Sequence, residues 1–237
     1  MKENNIIKET SLIQKEVNTP TSEQFTSTAK LYATVFSGPP WNESVKCSLD
    51  GQFKGLDTPL GSRCSCGGIF VEAYPLEETV EYIKEESKKP KFKFQETVNA
   101  EGETIGFAWS YLTTPTKLAQ SKWDNSDDQQ KIINILEQKG IAPNQEIRYI
   151  SECGVDPNFR GNGIANLLTD IVSGPETTVY RTNCFSPMMA VATRLEFTQI
   201  MGPEVIIDRS NKTIIETGRY INFLDNQNPQ RTLFIKT

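Results

Sequence analysis

The stretch Ile147-Arg-Tyr-Ile-Ser-Glu-Cys-Gly-Val-Asp-Pro-Asn-Phe-Arg-Gly-Asn-Gly-Ile-Ala-Asn-Leu-Leu-Thr-Asp-Ile-Val172 decides the reading of this chain. A strand-like run ends in a turn at Asp156 and Pro157. Arg160, Gly161, Asn162 and Gly163 follow, and then an apolar pattern of helical period begins. Gly161 and Gly163 have no Cβ, so a ligand can approach their backbone closely. Their N–H groups stand where a helix begins, at unpaired donors and the positive end of the helix dipole. That combination binds phosphate or pyrophosphate, so a phosphorylated cofactor is expected at this point.

What the loop lacks narrows the cofactor. A dinucleotide fingerprint requires a third glycine where Asn166 stands, and a nucleotide P-loop requires Lys-Ser/Thr where Ile164 and Ala165 stand. The string Val155-Asp-Pro-Asn-Phe-Arg160-Gly-Asn-Gly-Ile-Ala165 instead resembles the acyl-CoA-binding segment of the GNAT N-acetyltransferases, whose pattern is Val-x-Pro-x-x-Arg/Gln-x-x-Gly-x-Gly/Ala. The resemblance extends from about Glu23 to Phe197. It includes Ile105-Gly-Phe-Ala-Trp109, like the family's central strand, and Leu195-Glu-Phe197, like its Leu-Gly-Phe turn. It implies an α/β (α+β) fold: a mixed, mostly antiparallel central sheet with splayed fourth and fifth strands, flanked by helices. It also implies acetyl-CoA as co-substrate, a primary amine (small molecule or protein) as acceptor, and direct attack of that amine on the thioester.

Outward from this segment, residues 1–21 are polar and without period, so a tail or an added strand is expected. A GNAT-like domain is expected over 22–237. Ser22 is read as the cap of a helix from Glu23 to Phe36, ended by Gly38-Pro39-Pro40. Pro75 to Lys88 reads as a second helix with Leu76, Val80 and Ile83 inward, and strands are expected at Lys91–Val98 and Thr104–Leu112. Residues 115–145 are treated as a helical insertion, with a helix over Asp127–Lys139. After the cofactor helix come a strand at Thr177–Thr182 and a helix at Met188–Leu195. Tail strands are expected near Glu204–Asp208, Arg219–Leu224 and Arg231–Ile235.

The 237-residue chain carries a net charge of −5, has no apolar run long enough to span a membrane and has no apolar signal at its N-terminus. These features point to a cytoplasmic protein and away from nucleic acid or membrane partners. The acidity fits a cationic substrate no better than it fits a generic acidic surface. Histidine is absent, which excludes Ser–His and Cys–His nucleophile pairs and any His-ligated metal.

The resemblance places the pantetheine arm between the fourth and fifth strands. Cys153, Gly154 and Val155 would act through backbone N–H and C=O groups, with Arg160, Gly161, Asn162, Gly163, Ile164, Ala165 and Asn183 around the cofactor. Glu152 and Glu146 are the general-base candidates, because a partly desolvated carboxylate can have its pKa raised toward working pH. A solvent-facing or salt-bridged glutamate is the competing reading for each, and Tyr149 and Tyr111 are weaker candidates. Trp41 and Glu43 follow a segment like the first-helix end of one GNAT subgroup. They are expected at the acceptor, with Trp41 as a lid over the core as the alternative. The tyrosine that many family members carry in the last helix is replaced by Ala192, which keeps open a catalytically inactive acyl-CoA-binding module or sensor. An acyl-Cys153 intermediate is disfavoured for want of a basic partner. Five cysteines fit no disulfide framework. Cys47, Cys64 and Cys66 lie in a loop module over about 42–70 and are candidate zinc ligands with Asp50 as a fourth, against a reading as free thiols.

Overall fold

A computed structural model describes residues 13–17, 19–208, 213–225 and 228–237. Residues 1–12 of the expected tail lie outside the described residues. The edge strand β1 (Ile13–Val17) pairs antiparallel with β5 (Lys93–Val98), so this part of the tail belongs to the sheet. The main sheet continues through β6 (Thr104–Thr113), β7 (Ile147–Val155), β8 (Thr178–Asn183), β11 (Arg231–Lys236), β9 (Thr198–Asp208) and β10 (Thr213–Ile221), in that spatial order. Every described pairing is antiparallel except β7–β8. This is the mixed, mostly antiparallel sheet expected from the sequence. The expected fourth and fifth strands are β7 and β8. β11 lies between β8 and β9, and β10 starts six residues earlier than the sequence suggests, because Thr213–Glu216 pair with β9 as a hairpin.

Helix α1 (Ser22–Ser37) starts one residue earlier than expected. Thr21, not Ser22, is its cap: the Gln24 N–H donates to Thr21 Oγ1, and the Thr21 N–H donates back to Gln24 Oε1. Helix α2 (Leu76–Ser87) packs beside it. Their shared cluster includes Phe25, Tyr32, Phe36, Ile83, Phe107 and Trp109. Leu76 was expected inward but is 41% exposed, since it opens the first turn of α2. The 115–145 segment contains two helices where one was expected. These are α3 (Pro115–Lys122), capped by Thr114, and α4 (Ser126–Gln138), capped by Asn125. They bury Leu118, Trp123, Ile132 and Leu136 with Tyr111, Ile147 and Tyr149 of the sheet. Helices α5 (Ile164–Val172) and α6 (Met188–Arg194) join a separate cluster with Ala108, Ile150, Tyr180 and Phe234.

Two irregularities in β7 shape the site. Its pairing with β8 covers only Arg148 to Ile150, matched to Thr178 to Tyr180, so the two strands part beyond that point. Its pairing with β6 slips between Ile150, opposite Ser110, and Glu152, opposite Trp109, leaving Ser151 as an extra residue in a bulge. A bulge twists and bends its strand. It also reverses the alternation of side chains. Glu152 therefore shares the face of Tyr149 and Trp109, toward α1 and α2, whereas strict alternation would place it with Ile150 under α5.

A second sheet of three short strands, β3 (Phe53–Lys54), β2 (Val45–Cys47) and β4 (Phe70–Glu72), forms the cysteine-bearing module. Among the described residues no helix is long and apolar enough to cross a membrane.

Candidate active site

The loop between β7 and α5 is built by local hydrogen bonding. Asp156 accepts from the Asn158 N–H at 2.8 Å and so holds the 3-10 turn Pro157–Phe159, while its own N–H donates to Ile105. Gly161 and Gly163 have φ of 86° and 79°, left-handed values that a side chain resists. The first bond into α5 is Leu167 N–H to the Gly163 carbonyl. The N–H groups of Ile164, Ala165 and Asn166 are thus left without helical acceptors, and among the described residues no backbone carbonyl takes those of Gly161, Asn162 or Gly163. A cavity of about 240 Å³ opens over this row, between Cys153–Val155, the loop and α6. The buried Asn166 Oδ1 at its edge has no partner. A row of free N–H groups at a helix N-terminus beside an unpaired strand edge fits a pyrophosphate followed by an amide-bearing arm.

Not every expected cofactor residue faces this cavity. Arg160 lines it but turns its guanidinium back, with Nε donating to the Val155 carbonyl at 3.2 Å and Nη1 to the Pro39 carbonyl at 3.4 Å. Asn162 Nδ2 donates to the Phe159 carbonyl, so that side chain braces the loop. Asn183 lines neither this cavity nor the next. Its Oδ1 accepts from the Phe185 N–H and its Nδ2 donates to Gln230, so it shapes the turn after β8.

A second cavity of about 140 Å³ lies in the gap between β7 and β8. Glu152 lines it, and its Oε1 accepts from the hydroxyls of Tyr32 at 3.3 Å and Tyr82 at 3.1 Å. Burial pushes the Glu152 carboxyl up to about 7, against the opposing influence of the Lys122 ammonium and the Tyr82 hydrogen bond. Burial, helped by the Glu152 carboxylate, raises the Tyr32 phenol well above its ordinary value. Ser151 at the bulge also faces this cavity, and its hydroxyl is buried without a partner.

Glu146 is not brought here. It is exposed just ahead of β7, in a separate depression with Lys89 and Tyr111. Six residues of strand, roughly 20 Å, separate it from Glu152. Tyr111 does not line the second cavity either, and its hydroxyl accepts from Lys89 Nζ at 3.1 Å, whereas Tyr149, against whose ring it packs, does line it. Cys153 lies on the α5 side, beside Thr169 at 3.8 Å, and burial pushes its thiol up to about 12. Burial thus favours the protonated thiol near neutrality, which weighs against the acyl-cysteine alternative.

Trp41 borders both cavities, with its ring 5.4 Å from that of Phe36 and 4.7 Å from the Arg231 guanidinium. Glu43 lines the second cavity and accepts from the Tyr74 hydroxyl. Burial raises its pKa, with the Tyr74 bond and Arg231 opposing. Lys122, Arg181 and Arg231 complete the lining. Arg181 is paired with Asp225 at 2.5 Å. Lys122 and Arg231 rest on the rings of Tyr149 and Trp41 instead.

Nothing local in the sequence marks Tyr32, Tyr82, Lys122 or Arg231 as site residues. They come from α1, α2, α3 and β11, and each reads locally as a stripe or surface residue.

No family model matches the sequence, and no curated protein does. Solved structures do match. Arylalkylamine N-acetyltransferase 2 from Aedes aegypti superposes with a TM-score of 0.53 at 12% identity, over 96% of this chain and 99% of that one. A mosquito arylalkylamine N-acetyltransferase-like protein, 5b, does so with a TM-score of 0.50 at 10% identity, over 95% and 99%. Likeness at such identity is a statement about architecture. Sheet order, the parting of β7 from β8 and these superpositions together show that the chain has the fold of the GNAT N-acetyltransferases.

Proposed function

We propose that this protein is an acetyl-CoA-dependent N-acetyltransferase that acetylates a primary amine by direct attack, with Glu152 as general base. The observation that carries the reading is the position of Glu152. It sits in the gap between β7 and β8, next to the strand segment that leads into the anion-binding loop, with a pKa near 7. A base with that pKa is half ionised near neutrality, where general-base catalysis is most effective. Cys153, Gly154 and Val155, with Gly161 to Ala165, supply the backbone that holds acetyl-CoA. Glu152 takes a proton from the substrate ammonium, directly or through one water. The freed nitrogen lone pair attacks the thioester carbonyl carbon. Charge then develops on the carbonyl oxygen, and an N–H of β7 beyond Ile150 stabilises it. The carbon–sulfur bond breaks and the thiolate leaves with the electron pair, while the second proton of the attacking nitrogen passes to that thiolate, directly or through water, giving the amide and the free CoA thiol.

The acceptor cavity narrows the amine. Lys122 and Arg231 present positive charge to it without ion-pair partners among the described residues, next to Glu43 and Glu152. An amine that also carries an anionic group, such as a carboxylate, satisfies both signs; a polycation leaves the two cations unmatched.

One observation favours a second reading, a non-catalytic acyl-CoA-binding module: Ala192, fully buried, stands where many relatives place a tyrosine acid. The two readings separate in one experiment. Acetyl-CoA binding is measured by calorimetry on the wild type and on Gly163→Trp, and thiol release is followed with a panel of amines, with and without carboxylates. Binding lost in the variant, together with amine-dependent thiol release, supports the enzyme. Binding without release for any amine supports the module. No binding by a folded wild type refutes both.

A further inference from the structure

We propose that Cys47, Asp50, Cys64 and Cys66 hold one structural zinc ion, which fixes the segment presenting Glu43 and Tyr74 to the second cavity. Each of these residues offers one ligand atom, and the four atoms all lie within 4.8 Å of one another. Cys47 Sγ is 3.3 Å from Cys66 Sγ, and Cys64 Sγ is 3.8 Å from Asp50 Oδ2. Four ligands at about 2.0–2.3 Å from a tetrahedral zinc stand roughly 3.5–3.8 Å apart. The cluster is close to that spacing, and a sulfur–sulfur bond is far shorter, about 2.05 Å. Three thiolates and one carboxylate suit zinc by softness and by geometry.

The backbone around the cluster is arranged as two turns, each closed by a glycine. Cys47-Ser-Leu-Asp50 ends at Gly51 and Cys64-Ser-Cys66 ends at Gly67, with left-handed φ of 71° and 94°. The Gly51 N–H returns to the Cys47 carbonyl and the Gly67 N–H to the Cys64 carbonyl, both at 3.0 Å. A Cβ on Gly68 would stand 2.7 Å from Cys47 Sγ, so only glycine lets the two turns approach this closely.

The module has little else to hold it. Its buried cluster is Val45, Cys47, Cys64 and Phe70 alone, while Leu49, Phe53, Leu56, Leu60 and Ile69 are exposed. A metal crosslink compensates for so small a core. The crosslink also reaches the cavity. Glu43 lies two residues before β2 and Tyr74 two residues after β4, and these strands pair from Val45–Glu72 to Cys47–Phe70, beside the cluster. This consequence rests on the acceptor reading of the second cavity, whereas the metal itself does not.

The test is elemental analysis of the full chain purified under reducing conditions, followed by replacement of the metal with cobalt(II). About one zinc per chain is expected, with intense near-ultraviolet thiolate-to-cobalt absorption and visible bands of a tetrahedral site. Cys64→Ser should lose at least 90% of the metal, and Asp50→Cys should retain it. A folded wild type that holds less than 0.1 zinc per chain and gives no cobalt spectrum overturns the site, as does a Cys47–Cys66 disulfide two mass units lighter than the thiols. Hydrogen exchange of the untreated and chelated protein tests the positioning role without reference to activity. Chelation should speed exchange at least tenfold over residues 41–74 and leave β7 and α5 unchanged. Equal exchange with and without metal overturns that role.

Discussion

Replacing Glu152 by Gln tests the central argument through activity and stability together. The variant keeps the volume and an oxygen acceptor for Tyr32 and Tyr82 but cannot take a proton. Loss of a general base costs about 10²- to 10⁴-fold in kcat/KM. In the wild type, kcat/KM should rise tenfold per pH unit below about 7 and level off above it, because the active form is the carboxylate. In the variant that limb should vanish, while the acetyl-CoA Kd stays within twofold. Stability should move in the opposite direction. A carboxyl whose pKa is raised by folding from 4.5 to about 7 makes the folded state bind the proton more tightly. The wild type is therefore penalised progressively as pH rises from about 4.5 to 7, and fully above that. Each tenfold change in proton affinity is worth about 1.4 kcal/mol, so the ceiling is about 3 kcal/mol. Urea unfolding at pH 5 and pH 8 should show the variant gaining on the wild type at the higher pH only. Stopped thiol-release assays across pH 5.5–9 supply the kinetic half. If the variant retains more than a third of wild-type kcat/KM with the same pH limb, Glu152 is not the base.

Other perturbations follow from individual contacts. In Gly154→Ala the new Cβ would lie 2.5 Å from the Phe107 ring. Overpacking of this kind costs about 1–3 kcal/mol, read as a lower urea midpoint; an unchanged midpoint contradicts the close approach. Gly163→Val forces a branched side chain into φ of 79°, a strain of about 1–3 kcal/mol at the cofactor loop. Acetyl-CoA Kd should rise at least tenfold by calorimetry. Arg231→Met removes a charged donor while keeping an unbranched stem beside Trp41. A hydrogen bond to a charged group is worth about 1.5–3 kcal/mol, so KM for a carboxylate-bearing amine should rise about 10- to 100-fold. KM for a neutral amine should hardly change, and equal effects on both would argue against an anion-recognising acceptor site.

The cofactor side of the site was legible because its chemistry is contiguous. A turn, two glycines needing left-handed φ and a helix N-terminus all lie between Asp156 and Ala165, and the proposed binding uses backbone donors. Local sequence determines local backbone, so one reading of about ten residues sufficed. The alternation of Phe92 and Phe94 leading into β5 and the apolar stripe of α1 were legible for the same reason. The four proposed zinc ligands lie within twenty residues, and sequence could name them, yet only folding brings Asp50 and Cys64 within 3.8 Å. The proposed acceptor side was decided by tertiary structure. Tyr32, Lys122 and Arg231 at the cavity wall, and Tyr82 on Glu152, converge from elements as much as 199 positions apart in the numbering, and nothing in the neighbourhood of any one marks it. The face on which Glu152 stands was decided there too. Glu146 and Glu152 are both candidates as sequence, two glutamates of one expected strand, with the solvent-facing reading heavier for Glu146. Pairing with β6 absorbs Ser151 as a bulge, and the parting of β7 from β8 opens a gap beside it. Register is a property of two strands together, so the single chain segment could not specify which glutamate would be buried between two tyrosines.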